Sequence, residues 1–244
     1  NNLTALGVAE YKKLLKEIKE IKHEPLHAGA IRAIFEAWND QHKKGDKKVI
    51  QEYEEIICRY SPVFEQASMQ LIARNDYQTL INLYDRFENV SDLSMFSYYQ
   101  VRCAYQLLNQ WDKAGEVIRL GIQQQPDNSL QNMKLWYFYE LWRTGHIFSD
   151  EELSVIDYHE LIEIERYVFA TLKVAVKLGE RDLESCLDDI TPELRKCQQD
   201  NQEVSGHPLA SAAQSLLKER LLARVSSSGF FSKLLIKWKL SNRF

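Results

Sequence analysis

His159 and Glu163 stand four residues apart in His159-Glu160-Leu161-Ile162-Glu163. On a single helix that spacing puts an imidazole and a carboxylate on one face, which is two of the ligands a zinc site needs. No third ligand is apparent, so a solvated polar face is the simpler account. His23 and His27 share the spacing, but Pro25 between them breaks any helix that would align them. Asp150-Glu151-Glu152 follows Ser149, and three carboxylates there suit the positive end of a helix better than acid–base chemistry. Asp188-Asp189 near Cys186 offers paired carboxylates, with the end of a short surface helix as the plainer reading. There is no GxGxxG, GxxxxGK[ST], GxSxG or HExxH. No catalytic residue, metal ligand set or cofactor is assigned, and this chain alone is not expected to be an enzyme.

The bulk properties exclude further classes. Hydrophobic residues make up 45% of the 244 and charged residues 27%, which suits a globular protein and not a disordered one. Only 9 glycines and 5 prolines are present, too few for the many turns of an all-β sandwich. The net charge of −4 is unevenly placed. From Arg220 onward six of the 31 basic residues occur and none of the 35 acidic ones, leaving the preceding body at −10. An acidic body does not track a phosphate backbone, so no nucleic-acid partner is expected. The 4 cysteines (Cys58, Cys103, Cys186, Cys197) form no CxxC pair and read as reduced core thiols in a cytoplasm-like compartment. No stretch approaches the roughly 18 apolar residues of a spanning helix.

Helical periodicity recurs along nearly the whole chain. Tyr11, Leu14, Leu15, Ile18 and Ile21 form one apolar stripe that Pro25 ends. Further helices are expected near 28–43, 46–60, 62–74, 77–88, 92–108 and 111–125. Asn75-Asp76, Ser91-Asp92 and Asp127-Asn128 supply short side-chain oxygens for free N–H groups at helix starts. Ser149 and Glu152 have capping-box spacing, and Thr191-Pro192 and His207-Pro208 open helices with proline in the first turn. A longer helix is expected from about Tyr158 to Leu178, stopped by Gly179. Shorter ones follow near 181–189 and 192–203, then one near 208–225, a serine-glycine hinge at 226–229 and a basic tail. No run alternates as a half-buried strand would.

Residues 95–128, MFSYYQVRCAYQLLNQWDKAGEVIRLGIQQQPDN, carry the most informative pattern. They read as two helices with a tight turn near Asn109. Large Val101 and aromatic Tyr105 mark the first helix, and small Ala114 and Gly121 flank bulky Ile118 on the second. Pro126 closes the unit. This stretch resembles a tetratricopeptide repeat, in which small residues let neighbouring helices approach and large ones fill the groove. Tyr98 replaces the usual Trp, and Arg102 stands where a small residue is usual. Residues 61–94 share the outline, with Asn75 and Tyr77 each 34 positions before Asn109 and Trp111. The aromatic run Leu135–Trp142 is similar to the related half-a-TPR repeats.

The resemblance implies an all-α fold: a right-handed α-solenoid of stacked antiparallel helix pairs with extra C-terminal helices. The corresponding organisation is an N-terminal helix at 1–27, helix-pair repeats at 28–157, additional helices at 158–205, and a C-terminal helix with basic amphipathic tail at 206–244. In the family, first helices line a concave groove, which implies partner contacts through Phe96, Tyr99, Cys103, Gln106 and Leu107. This set is apolar and aromatic, so the expected partner is a peptide or helix of another protein, with the chain acting as a binding module or scaffold. An alternative class is a non-catalytic helical region of a larger membrane-peripheral enzyme, for example a polysaccharide-assembling glycosyltransferase. The tail motivates it: Phe231, Leu234, Leu235 and Trp238 form one stripe, with Lys233, Lys237 and Lys239 as cations. That pattern fits a helix capping the acidic body and equally a helix at a membrane surface. The expected location is cytoplasmic, with peripheral membrane contact through 230–244 as the second option.

Overall fold

Asn75 and Asn109 have positive φ, 60° and 59°, and Gly145 has φ 89°. Each sits just past the end of a helix and closes it in the same way. Asn75 N–H donates to Ile72 O and Asp76 N–H to Leu71 O. Asn109 and Gln110 repeat this with Gln106 and Tyr105, and Gly145 and His146 with Trp142 and Leu141. These paired reverse bonds satisfy carbonyls that the helix end would otherwise leave bare. Asparagine tolerates the left-handed conformation because its short polar side chain can bond locally.

The computed structural model describes residues 34–40, 47–126, 130–179, 189–190, 192–197, 199, 204 and 206–227. Among these residues the regular structure is helical, with no strand. The expected N-terminal helix, the Asp127-Asn128 cap, His23, His27, Cys186, Asp188 and all seven tail residues from Phe231 to Lys239 lie outside the described residues. The chain divides into two compact units, Asn1–Gln110 and Trp111–Phe244.

In the first unit, α1 spans Lys47–Ile57, α2 Ser61–Ala73, α3 Tyr77–Asp85 and α4 Met95–Leu107. Helix α2 packs against α1, α3 and α4, and α3 also packs against α4. Pro62 stands in the first turn of α2, where a missing N–H costs nothing. Asp76 caps α3 by accepting from Thr79 N–H at 3.3 Å. The core between these helices holds Phe64, Leu71, Leu80, Leu83, Tyr98 and Val101, all essentially inaccessible to solvent. Phe64 and Phe87 meet edge-on at 5.2 Å. Residues 34–40 are helical and bury Ile34, Phe35 and Trp38.

The start of α4 corrects an expectation. Ser91 and Asp92 do not cap it. Val90–Asp92 forms a 3₁₀ turn, and Ser94 is the cap, accepting from Ser97 N–H at 3.1 Å. Tyr98 pins the turn by donating to Val90 O at 2.5 Å, and Leu93 is fully buried beneath it.

In the second unit, α5 spans Trp111–Gln124, α6 Gln131–Arg143, α7 Asp150–Leu153, α8 Glu163–Leu178 and α9 Pro208–Ser227. Helix α6 packs on α5 and α8, and α8 on α9. The aromatic run of α6 is core: Trp136, Phe138, Tyr139 and Trp142 are buried. Tyr139 contacts Trp136 at 5.5 Å and Trp111 at 5.7 Å. Buried Glu165 accepts Trp136 Nε1–H at 3.1 Å. Ser149 and Glu152 form the expected reciprocal capping box, at 3.1 and 2.7 Å. Gly179 ends α8 with φ 45°. Among the described residues no helix is long and apolar enough to cross a membrane.

Candidate interaction surface

Helix α4 carries the five residues expected to meet a partner. Its sequence buries Tyr98, Val101, Ala104 and Tyr105 into the first unit's core. Phe96, Tyr99, Cys103 and Leu107 follow one another at intervals of three and four, so they share the opposite stripe of the helix. All four are partly exposed. Phe96 and Tyr99 stack with centroids 6.2 Å apart and planes 26° from parallel. The fifth residue behaves differently. Gln106 is buried, and its Oε1 accepts from Arg102 Nη1 at 2.7 Å. It is part of the wall behind the stripe.

Arg102, the departure from the repeat pattern, is only 1% exposed. Its guanidinium lies 4.3 Å from the centre of the Tyr99 ring. A planar, weakly hydrated cation suits both roles at once, a hydrogen bond to an amide and contact with an aromatic face. Spacing alone could not reveal this, because it depends on where the Arg102 guanidinium ends up and not on where its Cα stands. Tyr99 is therefore in contact with both a cation and the Phe96 ring.

The residues first weighed for chemistry are dispersed or satisfied. His159 belongs to a 3₁₀ turn, Tyr158–Glu160, and α8 begins only at Glu163. The long helix expected from Tyr158 is therefore broken, and His159 and Glu163 do not share a helical face. Among the described residues no three His, Cys, Asp or Glu side chains gather as a metal site would need. Asp150 accepts from Lys173 Nζ at 2.7 Å and Lys177 Nζ at 3.0 Å, and these bonds lower its pKa. Buried Cys58 donates to Leu83 O at 3.4 Å. Burial pushes its thiol up to about 11, so it is not a nucleophile near neutral pH. Cys58, Cys103 and Cys197 are not joined in a disulfide.

No protein-family model, curated protein or solved structure matches the chain.

Proposed function

We propose that the chain is a non-catalytic helical interaction module that binds an apolar peptide or helix of a partner protein along the Phe96–Tyr99–Cys103–Leu107 stripe of α4. One observation carries the reading: a helix that buries its other faces keeps these four large or apolar side chains partly accessible on one side. An amphipathic partner helix covers such a stripe through anchors at the same spacing. Rigid aromatic anchors bind with little loss of side-chain entropy, and Arg102 and Phe96 already restrain Tyr99. The mutual packing of α2, α3 and α4 supports a repeat-like stacking of helix pairs as the frame. A reducing, cytoplasmic setting belongs to the same proposal, in keeping with Cys58, Cys103 and Cys197 standing outside any disulfide.

Affinity capture with the wild-type chain and with the Phe96→Ala, Tyr99→Ala double variant tests this. Truncating two anchors is expected to weaken the captured interaction by a factor of about 30 or more, while circular dichroism shows unchanged helix content. An unchanged affinity in the double variant overturns the proposal.

A further inference from the structure

Helices α8 and α9 run side by side in one direction. Arg220 Nη2 donates to Arg143 O at 3.1 Å and Arg224 Nη2 to Gly179 O at 2.7 Å, so the later turns of α9 lie beside the C-terminal ends of α6 and α8. His207 and Pro208, at the start of α9, line a cleft with Ile162 and Glu163, at the start of α8. The connection between α6 and α8 returns along the length of this pair. Ile147 and Phe148 line a cleft with Ala223 and Arg224. Asp150 is bonded by Lys173 and Lys177 from the last turns of α8, and Ile162 immediately precedes its first turn. With 16 residues, α8 is about 24 Å long. The surface of the connection mixes two kinds of side chain. Ile147, Val155 and Ile162 are 60%, 54% and 55% exposed. Glu151, Glu152, Asp157, Glu160 and Glu163 are exposed among and beside them, and no Lys or Arg occurs between Arg143 and Arg166. Arg166 and Lys196 lie against the Tyr158 ring.

We propose that the basic segment 230–244 docks on this connection within its own chain, laying its apolar stripe over Ile147, Val155 and Ile162 and turning its lysines to Glu151, Asp157 and Glu160. Position favours that occupant, because α9 ends at Ser227, within one turn of Arg224 and so beside Ile147. Charge favours it as well. Lys233, Lys237 and Lys239 would meet a stretch that holds carboxylates and no Lys or Arg, and complementary charge selects a partner and fixes its register. The apolar anchors Phe231, Leu234, Leu235 and Trp238 recur at helical spacing, as in a helix laid along an apolar surface. As a helix the segment would extend about 22 Å, close to the length of α8. Ser228 and Gly229 are residue types that allow the chain to reverse there. The α4 surface plays no part in this docking.

Carbodiimide cross-linking of the full chain, mixed equally with an isotope-labelled copy and mapped by mass spectrometry, tests the contact. Lys233, Lys237 or Lys239 should join Glu151, Asp157 or Glu160 within one isotopic chain. Hydrogen exchange supplies an arm that does not depend on the cross-linked groups. Glu151→Lys with Glu160→Lys changes only the exposed connection, yet it should speed amide exchange in 231–239 at least about fivefold. Lys233→Glu with Lys237→Glu should do the same, and the two charge reversals combined should bring exchange back to within about twofold of wild type. Glu116→Lys, on the exposed face of α5, should leave it unchanged. Cross-links solely between differently labelled chains place the segment on a second copy and overturn the proposal. Absent cross-links to 147–163, or wild-type exchange in Glu151→Lys with Glu160→Lys, overturns it too. So does a segment that exchanges fast in the free chain and slows only on vesicles of phosphatidylcholine and phosphatidylglycerol, which assigns it to a membrane surface.

Discussion

Replacing Gly115 by alanine reverses the usual sign of a helix substitution. In a helix interior, glycine to alanine ordinarily stabilises by about 1 kcal/mol. At Gly115 the new Cβ would meet Glu140 Oε1 at 2.7 Å, Cδ at 2.9 Å and Cγ at 3.0 Å. Two of these atoms belong to the side-chain stem, so twisting the carboxylate does not relieve the contact. Glu140 is 5% exposed and its two oxygens accept from Arg143 Nε and Nη2, both at 2.8 Å. Arg143 Nη2 also donates to Asp112 Oδ1 at 2.6 Å. Moving Glu140 aside disrupts charge-assisted bonds worth about 1.5–3 kcal/mol. Set against the propensity gain, Gly115→Ala should destabilise by about 0.5–2 kcal/mol. At about 2–4 °C per kcal/mol for a chain of this size, the melting temperature falls by about 1–8 °C. Scanning calorimetry of Gly115→Ala, Glu140→Ala and the double variant closes the cycle. Without the Glu140 side chain, alanine at 115 should recover its ordinary gain of about 1 kcal/mol. If Gly115→Ala stabilises the wild type, or acts equally in both backgrounds, the account of Gly115 as the space for Glu140 fails.

The other structural claims have tests of the same kind. Asn109→Gly should leave stability unchanged or raise it, whereas Asn109→Val should lower it by about 1–2 kcal/mol, because a branched side chain at φ 59° meets the following carbonyl; urea unfolding separates the two. Trp136→Phe keeps most of the buried volume but removes the 3.1 Å donor to Glu165, and should cost about 1.5–3 kcal/mol in the same assay. Asp150, held below its ordinary 3.8 chiefly by the Lys173 bond, adds stability that is present above that value and lost as pH falls through the folded one. Asp150→Asn should therefore melt below wild type at neutral pH, and the gap should close in melts at progressively lower pH down through the acid range.

Helix existence was readable because burial in this chain follows period 3.6, and stops were readable where their chemistry is local. Ser149 with Glu152, Asp76 before α3, and Gly179 after α8 all act as their residue types suggest. The choice between serines was not local. Ser91 and Ser94 have equal capping ability, and Leu93 burial together with the Tyr98 bond to Val90 selects the later one. The break after Glu160 has the same origin. The spacing of His159 and Glu163 suits a continuous helix, but Leu161 is buried between the 3₁₀ turn and α8, and Glu165 bonds back to the Ile162 N–H at 3.4 Å. Histidine is not among the favoured cap residues, yet His207 Nδ1 accepts from Leu209 N–H at 3.2 Å, a role open to the neutral ring only. Of the five residues that the resemblance put on a binding face, four are partly exposed along one stripe, and Gln106 is buried because its partner is a buried arginine that no periodicity announces.

The left-handed turns at 75, 109 and 145 are 34 and 36 residues apart, and they serve one purpose with two residue types. Backbone geometry at these points tolerates a short list of residues, and asparagine at two of them and glycine at the third close their helices with the same paired bonds. A small residue at position 102 would let a neighbouring helix close in. A buried guanidinium instead needs polar and aromatic company, and Gln106 and Tyr99 supply it. Arg102 with Gln106 makes this part of α4 polar beside the aromatic Phe96–Tyr99 pair. Arg102, where the resemblance led to the expectation of a small residue, therefore restrains Tyr99, the central residue of the proposed binding surface.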